Sequence, residues 1–176
     1  MKYNILIVYK SSTGFTQKYA QLAGKETGGR VVEYRKATAE LMSEYDTVVF
    51  GSRAYAGRID GYQKAKEMFQ KSGAGQLVVF VTGATPNTEE QVIKDFWKQN
   101  LTDDELQKIP HFYMQSGLCY EKMSFADKLM MKGLRAMLKK KKDKSQEEQM
   151  MERMIAGSYD ISSEEYVRPL ISYLKR

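Results

Sequence analysis

Ser11, Ser12, Thr13, Gly14, Phe15 and Thr16 put four hydroxyl side chains and a glycine just after an apolar run that ends at Tyr9. Phe15, Tyr19, Leu22 and Ala23 then repeat with helical spacing. The first turn of a helix has unpaired backbone N–H groups and a partial positive charge. Short hydroxyls add donors, and Gly14 allows close backbone approach. This is chemistry for an anion, a phosphate above all. No lysine stands in the Walker position and no G-x-G-x-x-G occurs, which argues against a nucleoside triphosphate or a dinucleotide. Taken alone, the stretch reads equally well as a capped helix start behind a polar loop.

Two more stretches share its small-residue character. In "GSRAYAGRID", 51–60, Ser52, Ala54, Ala56 and Gly57 surround Tyr55, with Arg53 and Arg58 flanking it. A planar aromatic ligand would find backbone groups for its polar edge there, and one ring to stack on. In "TGATPNTEE", 82–90, Thr82, Gly83, Ala84 and Thr85 again expose backbone with little bulk. The plainer readings are a turn into a helix opened by Asp60, and an ordinary strand-to-helix loop. His111, the only histidine, opens a strand at the end away from these loops. Cys119, the only cysteine, reads as a small packed thiol near them. No nucleophile–base pair or metal-ligand cluster is visible, so no catalytic or metal residue is assigned.

Five β-branched or aromatic runs must position the loops: 3–9, 30–34, 47–52, 77–83 and 111–117. The first, third and fourth are almost continuously apolar, as strands covered on both faces are. Helical patterns fall between them. Tyr62, Ala65, Met68 and Phe69 form one face, opened by Asp60 and closed by Gly73. Thr88 with Gln91 reads as a capping box ahead of Val92, Ile93, Phe96 and Trp97. Residues 38–45 and 102–109 read as short helices. Ser162 with Glu165 reads as a second capping box, and Pro169 predicts a kink or a restart in the last helix. The alternation argues for an open parallel α/β sheet, in either a 2-1-3-4-5 order or half of a dinucleotide-binding fold. In both, the loops after the first, third and fourth strands are neighbours at one edge.

The 176 residues fit a single domain, 1–176, with a formal charge of +6. That charge permits an anionic ligand, an anionic membrane or nucleic acid. A lone thiol and the lack of about 20 consecutive apolar residues point to a cytoplasmic setting. One segment breaks the rhythm. Residues 118–160 show no strand signal and hold a basic, methionine-rich helical insertion, with seven of the eleven methionines between Met123 and Met154. Phe125, Leu129, Leu134, Met137 and Leu138 read as its apolar face, beside Lys128, Lys132, Arg135 and Lys139. Such a helix over 125–144 could meet an anionic membrane from the cytoplasmic side, or simply pack on the sheet with its lysines solvated. Lys139–Lys142 read as a fraying end. Nucleic acid is disfavoured, because the basic run lacks interleaved aromatics.

Ser11-x-Thr13-Gly14-x-Thr16 resembles the phosphate loop of flavodoxins, T/S-x-T-G-x-T, in its usual place after the first strand. The resemblance covers about 3–117 and the last helix. It implies a flavodoxin-like three-layer α/β sandwich with a five-stranded parallel sheet, order 2-1-3-4-5, and FMN as cofactor. The phosphate would lie in 11–16, bound without a cationic side chain. The flavin ring would lie between 51–58 and 82–86, with a redox-linked backbone flip at Gly57. "QSGLCYEKMSFADKLMMKGLRAM", 115–137, is similar to the branch that includes menaquinone-dependent protoporphyrinogen oxidase. That likeness implies a quinone-linked oxidase. The alternatives are a soluble electron carrier working with a redox partner protein, and a non-catalytic partner-binding module. Two departures stand out: small carrier flavodoxins are usually acidic, and "TGATPN" supplies no second aromatic to sandwich the ring. The second leaves the ring open to a substrate, or covered by 118–160. If Arg53 or Arg58 faces the ring's pyrimidine edge, it stabilises the anionic reduced flavin.

Overall fold

The computed structural model describes residues 4–176; Tyr3, the first residue of the expected 3–9 strand, lies outside the described residues. Five parallel strands form the sheet: β1 (Ile5–Tyr9), β2 (Arg30–Glu33), β3 (Thr47–Tyr55), β5 (Gln76–Gly83) and β6 (His111–Gln115). Their order is β2-β1-β3-β5-β6. With the short β4 (Arg58–Ile59) left out, this is the expected 2-1-3-4-5.

Alternation along the strands divides the core between two faces. Leu6, Val8, Val48, Phe50, Val79 and Val81 point to one side, under α2 (Ala39–Ser43), α3 (Tyr62–Ser72) and α4 (Glu90–Asn100). Ile5, Ile7, Val49, Val78 and Phe80 point to the other, under α1 (Phe15–Thr27) and α8 (Arg168–Leu174). Both faces being covered explains why these strands are apolar at nearly every position. Trp97 is buried in the first core as expected, and His111 packs against it with ring centroids 4.7 Å apart.

Several expectations are corrected. The 51–60 loop is mostly hairpin: β3 runs on to Tyr55, and β4 returns antiparallel with Tyr55 opposite Arg58. The turn between them is Ala56 and Gly57, at φ 47° and 76°. Left-handed conformation at both central residues matches the right-handed twist of the paired strands, and glycine adopts it without strain. Asp60 does not open α3; Gly61 does, while the Asp60 carboxylate binds Lys10 and Arg53. The Thr88 capping box does not form. A turn from Pro86 to the Glu89 N–H delays the helix to Glu90, and Gln91 donates to Asp95 instead. The box appears instead at α5 (Asp103–Lys108), between Thr102 and Glu105. Ser162 donates to Asp160, and Ser163 caps a single 3-10 turn ahead of α8. Pro169 then sits in the first turn of α8, the one part of a helix that does not need its N–H. The helix restarts there.

The 118–160 region does contain strand. β7 (Gly117–Leu118) pairs antiparallel with β8 (Tyr159–Asp160), closing the insertion at its base. Between them lie α6 (Phe125–Lys140) and α7 (Gln146–Met154). They carry a small core of their own, Met131, Leu138 and Ile155 with Leu118, Tyr120, Met123 and Leu134. The expected apolar face of α6 is only half right. Leu134 and Leu138 face inward, while Phe125, Leu129 and Met137 are 83%, 59% and 62% exposed. The lysine-rich end is tied down by pairs from Lys141 to Glu148 and Lys144 to Glu152, both 2.6 Å. Among the described residues, no helix is long and apolar enough to cross a membrane.

Candidate functional site

Parallel register brings the carboxyl ends of four strands to one edge. Tyr9 lies opposite Gly51, Arg53 opposite Thr82, and Gly83 opposite Gln115. The chain leaves β1, β3, β5 and β6 there, on both sides of the point where strand order reverses. A cavity of about 380 Å³ opens at this edge. Ser11, Ser12, Thr13, Phe15 and Thr16 line it from the first loop. Arg53, Ala54, Tyr55 and Ala56 line it from the hairpin, and Thr82, Gly83 and Ala84 from the third loop.

The remaining sequence-predicted residues stand just behind the wall. Gly14 is the N-cap of α1, and its N–H donates to Ser11 Oγ at 3.1 Å. Ser52 is fully buried, donating to the Asp60 carbonyl. Gly57 lies in the hairpin turn, beyond the cavity. Thr85 accepts a hydrogen bond from the Tyr113 hydroxyl on its carbonyl. Arg58 is turned away, its guanidinium donating to the Gln99 carbonyl at 3.1 Å. Of the two arginines, only Arg53 reaches the cavity.

The loops are fastened to each other rather than left free. Thr16 and Thr82 share a buried hydroxyl hydrogen bond of 2.8 Å. Asn87 and Gln115 exchange two bonds of 2.8 Å between side chain and backbone, and Ser116 Oγ donates to the Gly83 carbonyl. Burial pushes the Tyr113 hydroxyl up to about 12, so it stays a neutral donor to Thr85. A pre-formed rim of this kind costs little to order when a ligand binds.

The roof comes from the insertion. Ser116, Gly117, Leu118 and Cys119 continue the wall beyond β6, and Met123, Asp127, Met130, Met131 and Leu134 close the cavity from above. Cys119 is therefore a half-exposed cavity residue, not a packed one, with its thiol 3.4 Å from Glu121. Gly117, at φ 146°, lets β8 pass so close that a side chain would strike the Tyr159 carbonyl. The third loop brings no aromatic to the cavity; Phe15 and Tyr55 line it together with methionine and leucine from the insertion, soft side chains that mould to a flat ligand.

Asp127 is 6% exposed and joins roof to wall. Its carboxylate accepts from Arg53 Nη1 at 3.1 Å, and Arg53 Nε lies 3.4 Å from Asp60. The Arg53 guanidinium also lies 4.4 Å over the Tyr55 ring. Burial opposes ionisation of Asp127, but the Arg53 bond and charge, aided by Tyr55 and Ser124, hold its carboxyl below the usual range. In return, contact with the Asp127 carboxylate pushes the Tyr55 phenol up.

The residues present suit a flavin mononucleotide. Unpaired first-turn N–H groups and short hydroxyls meet a phosphate, while a slot of Tyr55, small residues and methionines meets a flat ring. Residue type and spacing point to all three loops and leave 118–160 as one of two alternatives for the open side of the ring; which of its side chains form that cover is set by the fold. Its methionines were visible, yet their inward direction depends on the fold of 118–160.

Residues 6–145 match the flavodoxin domain family model. Among solved structures, the chain is similar to a flavodoxin, WrbA-like protein from Agrobacterium tumefaciens, at 18% identity and TM-score 0.41, over 71% of this chain and 87% of that one. It is similar to a flavoprotein in complex with FMN from Lactobacillus acidophilus at 17% identity and TM-score 0.43, over 64% and 92%. A two-electron reduced flavodoxin from Megasphaera elsdenii stands at 14% and 0.42, over 62% and 82%. No curated protein matches the chain. The family match, which spans most of the chain and all three cavity loops, identifies it as a member of the flavodoxin domain family.

Proposed function

We propose that this protein is an FMN-binding oxidoreductase whose electrons pass to or from a lipid-soluble quinone. Residues 11–16 hold the phosphate. Arg53–Ala56 and Thr82–Ala84 flank the ring. The cofactor supplies the redox chemistry, and the protein supplies position, electrostatics and exclusion of water. One observation carries the reading beyond simple cofactor binding: the cavity is roofed by a helix whose outer surface mixes cations with exposed apolar side chains.

A carrier that hands electrons to many proteins is served by an exposed ring edge. Here Met123, Met131 and Leu134 lie over the cavity, and Met130 forms its rim while remaining 40% exposed. That arrangement suits a small apolar reactant entering beside α6. On the outer side of the helix, exposed Phe125 and Leu129 stand one turn from Lys128 and Lys132, with Arg135 and Lys139 following along the same stripe. This composition suits the interface of an anionic membrane, where quinones dissolve. The likeness of 115–137 to the protoporphyrinogen-oxidase branch adds a candidate reductant, a porphyrinogen.

Purified protein should be yellow and release FMN on denaturation. With FMN bound, it should oxidise protoporphyrinogen using menaquinone. FMN-loaded protein that accepts electrons from a reductase but turns over no porphyrinogen with quinone would establish the carrier instead. Protein that binds no flavin would sink both readings.

A further inference from the structure

The first loop of a flavodoxin-like site needs no cationic side chain, but this fold brings one to it. Lys122 lies in the insertion, in the turn that precedes α6. Its Nζ is 3.7 Å from the point where a side chain on Gly14 would begin. Gly14 is the N-cap of α1, a helix of 13 residues, so the ammonium stands beside the partial positive charge and unpaired N–H groups of that terminus. Like charges placed together without a counter-ion raise the energy of the empty site and favour an anion between them.

The neighbouring cation differs. Lys18 shares the same surface depression as Lys122, but donates to Ser162 at 2.9 Å and lies 3.9 Å from Asp160. Its charge is already met. Among the described residues, Lys122 has no carboxylate within ion-pair distance. It is exposed, in a depression that adjoins the cavity and shares Thr13, Phe15, Leu118 and Cys119 with it, and is held at its base by the Lys122 N–H donating to the Cys119 carbonyl at 3.2 Å.

We infer that Lys122 is a cofactor-binding residue, an ammonium contributed by the insertion to the phosphate of the flavin in 11–16. The inference rests on FMN occupying the cavity. It makes the insertion a part of the binding site at both ends of the ligand: methionines over the ring, a cation at the phosphate. It also ties affinity to ionic strength, because an exposed ammonium–phosphate contact is screened by salt.

The test compares FMN with riboflavin, which lacks the phosphate, by fluorescence titration of wild type, K122Q and K122R at low and high salt. Lys122 packs against no core, so K122Q should melt with wild type. K122Q should weaken FMN about five- to tenfold at low salt, as one charge-assisted contact on a partly exposed anion does. Its riboflavin affinity should not change, its FMN affinity should depend less on salt, and K122R should restore most of the loss. Equal FMN affinity in wild type and K122Q overturns the contact alone. So does an equal loss for both flavins, since the lysine would then act through the fold. Wild type that binds neither flavin overturns the contact and the reading beneath it.

Discussion

Arg53 is the residue on which the electrostatics of the cavity turn. Its guanidinium lies between two carboxylates, Asp60 and Asp127, and over the Tyr55 ring. The sequence made it a plausible stabiliser of an anionic reduced flavin, but carried no sign of the two carboxylates that offset it. Asp127 comes from the insertion, 74 residues away. The pair allows a test with two signs. A unit charge at about 7 Å and an effective dielectric near 20 interacts by about 2 kcal/mol before screening. Replacing Arg53 by glutamine leaves Asp127 at the cavity, and Asp60 behind it, without that counter-charge, so the potential of the second reduction step should fall, by on the order of tens of millivolts. Asp127→Asn removes one negative charge and should raise it. Spectroelectrochemical titration of the FMN-loaded variants reads both. Shifts of the same sign would mean that the substitutions disturb the site rather than its charge.

At the scale of elements, the sheet was legible because burial on both faces writes itself into unbroken apolar runs, as in "ILIVY" and "LVVFV". The strands β4, β7 and β8 were not legible, because two residues cannot display a period of two. The roof was misread for a geometric reason. Phe125 with Leu129 and Leu134 with Leu138 are each four apart, so each pair shares a face. Five residues separate Leu129 from Leu134, however, and at about 100° per residue that step turns the helix well round from the first pair. Only the second pair, with Asp127 and Met131, faces the protein. Asp127 is the polar tether of that inner face, and its contribution has a pH window. Its pKa is lowered in the folded state, so the stabilisation is fully present above the unfolded value of about 4 and fades as pH falls through the lower folded value. Asp127→Asn should therefore cost about 1–2 kcal/mol at neutral pH. The difference from wild type should shrink in acid below about pH 4. Chemical denaturation of both proteins at pH 7 and pH 3 measures this. A difference that persists unchanged in acid would show that the Asp127 charge is not what holds α6.

At the scale of the molecule, the insertion gives the domain a distinct side. The carboxyl edge of the sheet, the cavity, the roof and the outer surface of α6 stack in that order. A membrane lying on α6 would thus face the cavity across a single helix. Exposed Phe125, Leu129 and Met137 supply apolar area, while Lys128, Lys132, Arg135 and Lys139 supply charge close to the same surface. Each term should be separable. Lysine near an anionic leaflet is worth about 1 kcal/mol, and the contribution falls off within a Debye length. Burying a phenylalanine and a leucine contributes roughly 1.5–3 kcal/mol each at full burial, less at the interface. Wild-type protein should sediment with vesicles containing phosphatidylglycerol and far less with purely zwitterionic ones. Phe125→Ser with Leu129→Ser should cut binding by at least about tenfold at low and high salt alike. Lys128→Gln with Lys132→Gln should cut it mainly at low salt. Neither pair touches the cavity wall, so FMN affinity should stay at the wild-type value in both. Vesicle binding that survives both pairs would place any lipid contact elsewhere. The outer surface of α6 would then be left to a soluble protein partner, and electrons from the flavin would have to leave through the Met130 rim to that partner rather than to a quinone in the bilayer.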